Sequence, residues 1–452
     1  MMDPILIGLG GLAALLALIA IRMPIAHAMI VVGGGGVMVL NGPALVLSQL
    51  KTLAYGQFSF HGLSVVPMFI LMGALSARTG LSTALFRAAN AWLGWLRGGT
   101  AMAAIAACAG FGSVCGSSLA TASTMGRIAL PELKRFNYSG ALATGSLAAG
   151  GVLGILIPPS VVLIIYAVIV EANIVSMFLA AMVPGLLAVV LFILTIAAYV
   201  LVVPSAGPRG GSTERKEFVA ATIGILPVVV IFGLVLGGIY AGYYNPTPAA
   251  SVGVFLVLLY GLVRRQINLS VLAATIRETA GSTGMIYLIL FGAELMKIFL
   301  SRAGLPQATA AFVVESGMQP MLVMVVLLVA LIALGCLLDS LSMILLIVPF
   351  FWPVLVEANG GLYQGGEGSG FGMSTEDLKI WFGILALIVV ELGLITPPVG
   401  LNVFVISALA KDVPMIETFR GVAPFFLAEL LRVGILLLFP ALTLWLPHLL
   451  SG

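Results

Sequence analysis

Leu153-Gly154-Ile155-Leu156-Ile157-Pro158-Pro159 returns 239 residues later as Leu392-Gly393-Leu394-Ile395-Thr396-Pro397-Pro398. Both copies interrupt long apolar stretches. A double proline withdraws two backbone donors, and each ring clashes with the turn before it, so neither stretch can run on as one helix. In lipid, the freed carbonyls are tolerated only where they face protein, water or a bound ion. Matched breaks in two halves of one membrane chain point to a secondary carrier whose site lies where the halves meet.

The composition fits that setting. Of 452 residues, 61% are hydrophobic and 8% charged, with a mean hydropathy of +1.20. A soluble domain carries about 25% charged residues, so this chain cannot cover a soluble surface. Apolar runs long enough to span a bilayer are read near 4–21, 24–41, 63–78, 137–170, 175–203, 218–241, 247–263, 282–300, 379–410 and 423–447. Residues 1–21 lack a basic n-region and are read as the first span, not as a removed signal peptide. Segments 43–62 and 264–281 mix apolar and polar residues, as interfacial helices or ordinary loops do.

Two further apolar segments, 98–131 and 320–356, are punctured midway by small polar residues, at Gly110 to Ser118 and at Gly335 to Ser340. Each has room for two half-helices and a tip, so both are expected to be re-entrant hairpins. The fold class is therefore all-α: a polytopic membrane protein with inverted repeats, two re-entrant hairpins and two Pro-Pro broken helices. The first repeat is expected over 1–203, a polar linker over 204–217 and the second repeat over 218–452. The spacing from tip to break is longer in the second half, and the glycine-rich loop Asn359 to Asp377, expected to be exposed or mobile, accounts for the excess.

The span list puts 15 of the 20 Lys and Arg residues on one side, which the positive-inside bias makes cytoplasmic. Both termini then lie outside the cytoplasm, and the two hairpins enter from opposite sides. Cys108, Cys115 and Cys336 lack metal-ligand spacing, and His27, His61 and His448 are scattered. No phosphate-binding Gly-x-x-x-x-Gly-Lys-Ser/Thr motif occurs, so the energy for transport would come from an ion gradient. No nucleic-acid partner is expected.

The first tip offers Ser113, Ser117, Ser118, Thr121, Ser123 and Thr124. Hydroxyls and free carbonyls are hard, uncharged oxygen ligands suited to a monovalent cation, and half-helix N-termini suit a carboxylate. The same residues also pack helices in membranes. Asp339, an acid inside an apolar run, is a functional candidate by default; it is equally a favoured helix cap. Thr396 and Asn402 offer oxygen around the second break, where the first has Ile157 and Leu163. Glu391 either assists that site or is simply paired, and Glu294 with Lys297 reads as an i,i+3 structural pair.

At these motifs the chain resembles the large membrane subunit of tripartite ATP-independent periplasmic (TRAP) transporters. The carrying residues are Gly116-Ser117-Ser118-Leu119-Ala120-Thr121-Ala122, Gly154 to Ser160, and Glu391-Leu392-Gly393-Leu394-Ile395-Thr396-Pro397-Pro398-Val399-Gly400-Leu401-Asn402. The chain departs from the family pattern at Leu119, where a second small residue is usual. The resemblance implies an elevator-type fold and sodium-driven uptake of an organic acid, with Na+ as the only cofactor and no enzymatic activity. It implies one sodium site at Ser117, Ser118, Gly154 and Pro158, and another at Gly335, Asp339, Gly393 and Thr396. The substrate is expected between them, near Ser113, Thr121, Ser123, Ser340 and Asn402. Implied partners are a separate four-helix small subunit and a periplasmic substrate-binding protein, at the bacterial inner membrane. Alternatives are a proton-coupled carrier acting through Asp339, a carrier of a related ion-transporter family, a channel or purely structural membrane subunit, or an intramembrane hydrolase built on Ser117 or Ser118.

Overall fold

The computed structural model describes residues 3–211, 214–336, 338–361 and 368–450. Among these residues the structure is helical throughout, apart from one isolated bridge between Arg97 and Arg209. Among the described residues seven helices are long and apolar enough to cross a membrane, or eight if the bent pair Gly140–Leu156 and Val161–Ile169, which turns by 46°, counts as one span.

The two punctured segments fold as helical hairpins. The first pairs Gly99–Cys115 with Ser118–Arg135, and the second pairs Pro320–Gly335 with Ser340–Ala358. The first helix runs through the expected break to Cys115 and stops only at Gly116, whose φ of +61° an L side chain rarely adopts. Leu337, in the second tip, lies outside the described residues. The two Pro-Pro motifs separate Gly140–Leu156 from Val161–Ile169 and Thr375–Gly393 from Leu401–Leu409. Both Pro-Pro bonds are cis.

Four helices therefore begin in the middle of an apolar segment, where the first-turn N–H groups need partners other than water. Three are capped by side chains. Ser117 accepts from the Ala120 N–H at 3.4 Å, Ser160 from Leu163 at 3.3 Å and Asp339 from Ser342 at 3.1 Å. The fourth starts at Gly400, with φ +62° and no side-chain cap.

The helices pack in two groups. In the first, Leu269–Arg302 packs on Ile25–Asn41 and on Val65–Arg78, which in turn packs on Pro246–Val263. The first hairpin packs on Gly140–Leu156, which also carries Met415–Leu438, while Pro320–Gly335 packs on Thr375–Gly393. The broken helices form the centre of this second group. Every residue from Leu142 to Leu156, and from Leu378 to Gly393, is buried. Helices apolar all round and buried all round belong to a protein interior. The groups meet where the hairpins reach Val65–Arg78 and Leu269–Arg302.

Several sequence boundaries are corrected. Segment 264–281 is neither loop nor separate interfacial helix: Leu269–Arg302 is one helix of 34 residues, capped by Asn268. The span read at 218–241 stands as one apolar stretch, Arg215–Tyr240, but its ladder is interrupted between Arg215–Gly224 and Leu226–Tyr240, where Pro227 has no N–H to give. The last span stops at Leu438, and Ala441–Leu450 follows Pro440 as a separate helix. Residues 43–62 form the helix Pro43–Phe58 and a short 3-10 turn. The glycine-rich loop is pinned in its described part, not free. Buried Asn359 donates to the Met373 carbonyl at 3.2 Å and accepts from the Phe371 N–H at 3.0 Å; residues 362–367 lie outside the described residues. The linker also docks, with the Gly98 N–H on the Gly207 carbonyl and the Ser139 N–H on Ala206. Ser212 and Thr213 lie outside the described residues.

Candidate functional site

The two tips converge on one cavity of about 680 Å³. Gly116 to Ala120, Ser123, Thr124 and Arg127 of the first hairpin face Asp339, Ser340 and Leu341 of the second. The opposite wall comes from Ile70 to Arg78 and from Glu278 to Ile286. Arg78 and Glu278 pair there at 2.7 Å, joining two helices of the first group. Arg127 is exposed on the wall and makes no ion pair among the described residues. The cavity is thus bounded on one side by the hairpins and on the other by helices of the first packing group.

Five expected site residues line this cavity: Ser117, Ser118, Ser123, Asp339 and Ser340. A second cluster stands behind the first tip, on the Gly140–Leu156 helix. The hydroxyl oxygen of Thr121 and the amide oxygen of Asn402 are both buried without a hydrogen-bond partner. The Asn402 amide nitrogen donates to the Ala148 carbonyl at 3.3 Å, so the second broken helix is bonded onto the first. A Cβ on Gly154 would stand 2.5 Å from the Thr121 hydroxyl oxygen and 2.7 Å from the Ser117 carbonyl oxygen. Only a glycine there lets these oxygens close on the helix. Pro158 is buried four residues further on, and the two prolines cannot donate to the carbonyls of Gly154 and Ile155.

The second break differs in its bonding. The Gly393 carbonyl accepts from the Thr396 N–H at 3.1 Å, and the Leu394 carbonyl accepts from the Asn402 N–H at 3.0 Å. Thr396 turns its hydroxyl back onto the Leu392 carbonyl at 2.6 Å. Pro397 and Pro398 are exposed, unlike Pro158 and Pro159. Gly335 and Gly393 touch backbone to backbone. Ser113 bonds the Gly110 carbonyl of its own helix at 2.8 Å and does not line the cavity. Asp339 is a cap that also faces the cavity: one oxygen accepts from the Ser342 N–H and the other from the Ser342 hydroxyl.

The residue that the sequence reading underweighted is Glu391. It is fully buried, and its two carboxylate oxygens accept hydrogen bonds from Ser118 of the first hairpin and Ser340 of the second. The signal was available, since the reasoning that singled out Asp339 as an acid inside an apolar run applies equally to Glu391. Buried Glu429 and Arg432 form an ion pair in Met415–Leu438, where Arg432 also donates to the Pro184 carbonyl at 3.3 Å. Glu294 and Lys297 form the expected pair at 3.6 Å. Among the described residues no three His, Cys, Asp or Glu side chains cluster to hold a metal.

The chain resembles known proteins over nearly its full length. It is 33% identical to the C4-dicarboxylate TRAP transporter large permease protein DctM of Pseudomonas aeruginosa, covering 90% of this chain and 93% of that one. It is 28% identical to the sialic acid TRAP transporter large permease protein SiaM of Vibrio cholerae, covering 98% and 99%. Among solved structures, the YdaH transporter of Alcanivorax borkumensis superposes with a TM-score of 0.63 at 14% identity, covering 89% of each chain, which is a likeness of fold. The sequence model of the tripartite ATP-independent periplasmic transporter, DctM component, matches residues 12–442, and with the two tips and two broken helices in hand the chain belongs to that family.

Proposed function

We propose that this chain is the large membrane subunit of a sodium-coupled importer of an organic acid in a bacterial inner membrane. Its halves, 1–203 and 218–452, are read as inverted repeats joined by the linker 204–217, and the hairpins as re-entrant. The hairpins and broken helices would move as one body against the Val65–Arg78 and Leu269–Arg302 group, in the manner of an elevator. The observation that carries this reading is the shared cavity: both tips open onto it from one packing group, and its far wall belongs to the other.

Sodium fits the chemistry of the tip. The Thr121 and Asn402 oxygens are hard, neutral, buried and without partners. An orphaned buried oxygen costs about 1–3 kcal/mol, and a small cation gives it a partner. Ser117, Ser118, Gly154 and Pro158 would hold one ion beside them, and Gly335, Asp339, Gly393 and Thr396 a second. A bound sodium supplies the positive charge that offsets an incoming carboxylate. The substrate reading is supported by Arg127 on the cavity wall, free of an ion pair among the described residues, and by relatives named for C4-dicarboxylate and sialic acid. Ser123 and Ser340 would contact the substrate directly, with Ser113, Thr121 and Asn402 supporting the tip. A small membrane subunit and a periplasmic binding protein are the proposed partners, in keeping with a tripartite family and relatives named large permease. Transport rather than enzymatic turnover is the activity.

The test is uptake in proteoliposomes holding this chain with a small subunit, and a binding protein outside, using a panel of labelled organic acids. Uptake should require an inward sodium gradient. Uptake indifferent to sodium and driven by a proton gradient would reject the coupling ion.

A further inference from the structure

We infer that Glu391 is a positioning residue that ties the two hairpin tips to each other and fixes the direction of their hydroxyls. Ser118 is the first residue of its helix, directly after the cap Ser117; Ser340 is the first residue of its helix, directly after the cap Asp339. The two serines thus occupy the same position in the two hairpins. Both hydroxyls donate to one carboxylate, Ser118 to one oxygen and Ser340 to the other. That carboxylate sits in the second broken helix, two residues before Gly393, and is fully buried.

A buried carboxyl group must be hydrogen-bonded, and each Glu391 oxygen has its partner on a different hairpin, so losing either bond leaves a buried polar atom unpaired. Glu391 therefore supplies each tip with an anchor, and the anchor is common to both. As donors to Glu391, Ser118 and Ser340 both point their hydroxyl protons inward. Both serines line the cavity. Their remaining lone pairs are what the cavity meets, which suits a cation or a donor group of the substrate. A change at one tip reaches the other through a single side chain. The claim about the tips stands on the fold alone; its consequence for transport rests on the function proposed above.

Cys115, half-buried at the first tip and on the cavity wall, provides the readout. The full chain in lipid nanodiscs, with Cys108→Ala and Cys336→Ala, is treated with N-ethylmaleimide, and the rate of Cys115 alkylation is measured. Glu391→Met, which keeps the bulk and removes both acceptors, should raise that rate at least fivefold. Ser340→Ala, on the opposite hairpin from Cys115, should do the same. Glu391→Gln, whose amide can bond one serine through oxygen and the other through nitrogen, should stay within twofold of the parent. Rates within twofold for both Glu391→Met and Ser340→Ala overturn the proposal, as does Glu391→Gln accelerating as much as Glu391→Met. If Glu391→Met does not fold, Ser340→Ala decides alone. The measurement uses neither sodium nor substrate, so its outcome is separate from that of the uptake assay.

Discussion

Gly393 lies against Gly335 so closely that a Cβ on Gly393 would stand 2.4 Å from the Gly335 carbonyl carbon and 2.7 Å from its oxygen. The first half repeats the arrangement: a Cβ on Gly112 would stand 2.5 Å from the Gly154 Cα. Each hairpin thus docks its first arm on its own broken helix through paired glycines, near the proline break. Membrane helices lack a hydrophobic drive toward one another, and close backbone contact takes its place.

Gly393→Ala is therefore expected to force the second tip away from its broken helix. The obstructing atoms are backbone, which cannot rotate aside, and overpacking of this kind costs about 1–3 kcal/mol. The variant should melt lower in detergent and lose uptake. Gly434→Ala, where a Cβ meets nothing within 4 Å, should be neutral or slightly stabilising. Equal melting temperatures for Gly393→Ala and the parent would contradict the contact.

Thr121→Val separates a ligand from a packing residue. If the hydroxyl only packed, its loss would change nothing measurable in sodium dependence. In the proposed ligand role, its buried hydroxyl oxygen, which has no hydrogen-bond partner in the protein, is offered to the ion. Replacing that oxygen with a methyl group should leave the ion-free protein as stable or slightly more so. The half-saturating sodium concentration for uptake should rise about tenfold, the equivalent of about 1.4 kcal/mol. Thermal melts with and without sodium read both effects; a melt that falls without sodium and an unchanged sodium response would oppose the assignment.

The architecture was legible because it is written in backbone chemistry. Proline cannot donate, so Pro158-Pro159 and Pro397-Pro398 announce their breaks whatever surrounds them. Glycine and serine at Gly116 and Ser117 announce a turn and a cap. What could not be read was which tip residues meet. Ser118 and Ser340 are joined through Glu391, and the sequence separation of Ser118 from Glu391 is 273 residues. No local pattern encodes such a contact. The place of Thr396 beside the prolines does not announce that its hydroxyl donates to the preceding turn, at the Leu392 carbonyl. Asn402, placed near the same break, instead reaches across to Ala148. The 34-residue helix from Leu269 was missed because its first half carries polar residues, and hydropathy alone divides a helix where it leaves the apolar core.

Lys134, at the end of the first hairpin, pairs with Asp412, which follows the second broken helix. The Lys134 ammonium holds the Asp412 carboxyl below its usual range, chiefly by hydrogen bonding. A depressed carboxylate pKa contributes stability that is fully present above the unfolded value and lost as pH falls through the folded one. Lys134→Met should therefore show a small melting deficit at pH 7 that fades as Asp412 protonates, below its ordinary value of 3.8. The pair is exposed, so salt should also shrink the deficit. A deficit of constant size from neutral to acid pH would assign the effect to packing.

Glu429 and Arg432 present the opposite case, an ion pair with both side chains fully buried. Removing one partner leaves an uncompensated charge in the interior, which costs about 3–5 kcal/mol. Replacing both with apolar residues of similar size is often neutral or stabilising. Arg432→Met alone should therefore destabilise strongly, and Glu429→Leu with Arg432→Met should recover most of the loss. The recovery will be incomplete if the Arg432 bond to the Pro184 carbonyl matters, since no apolar side chain replaces it. Thermal melting of the two singles and the double gives the coupling. Additive losses would mean that the two residues act separately, and the pair would then have no part in holding Met415–Leu438 against Ile174–Val202.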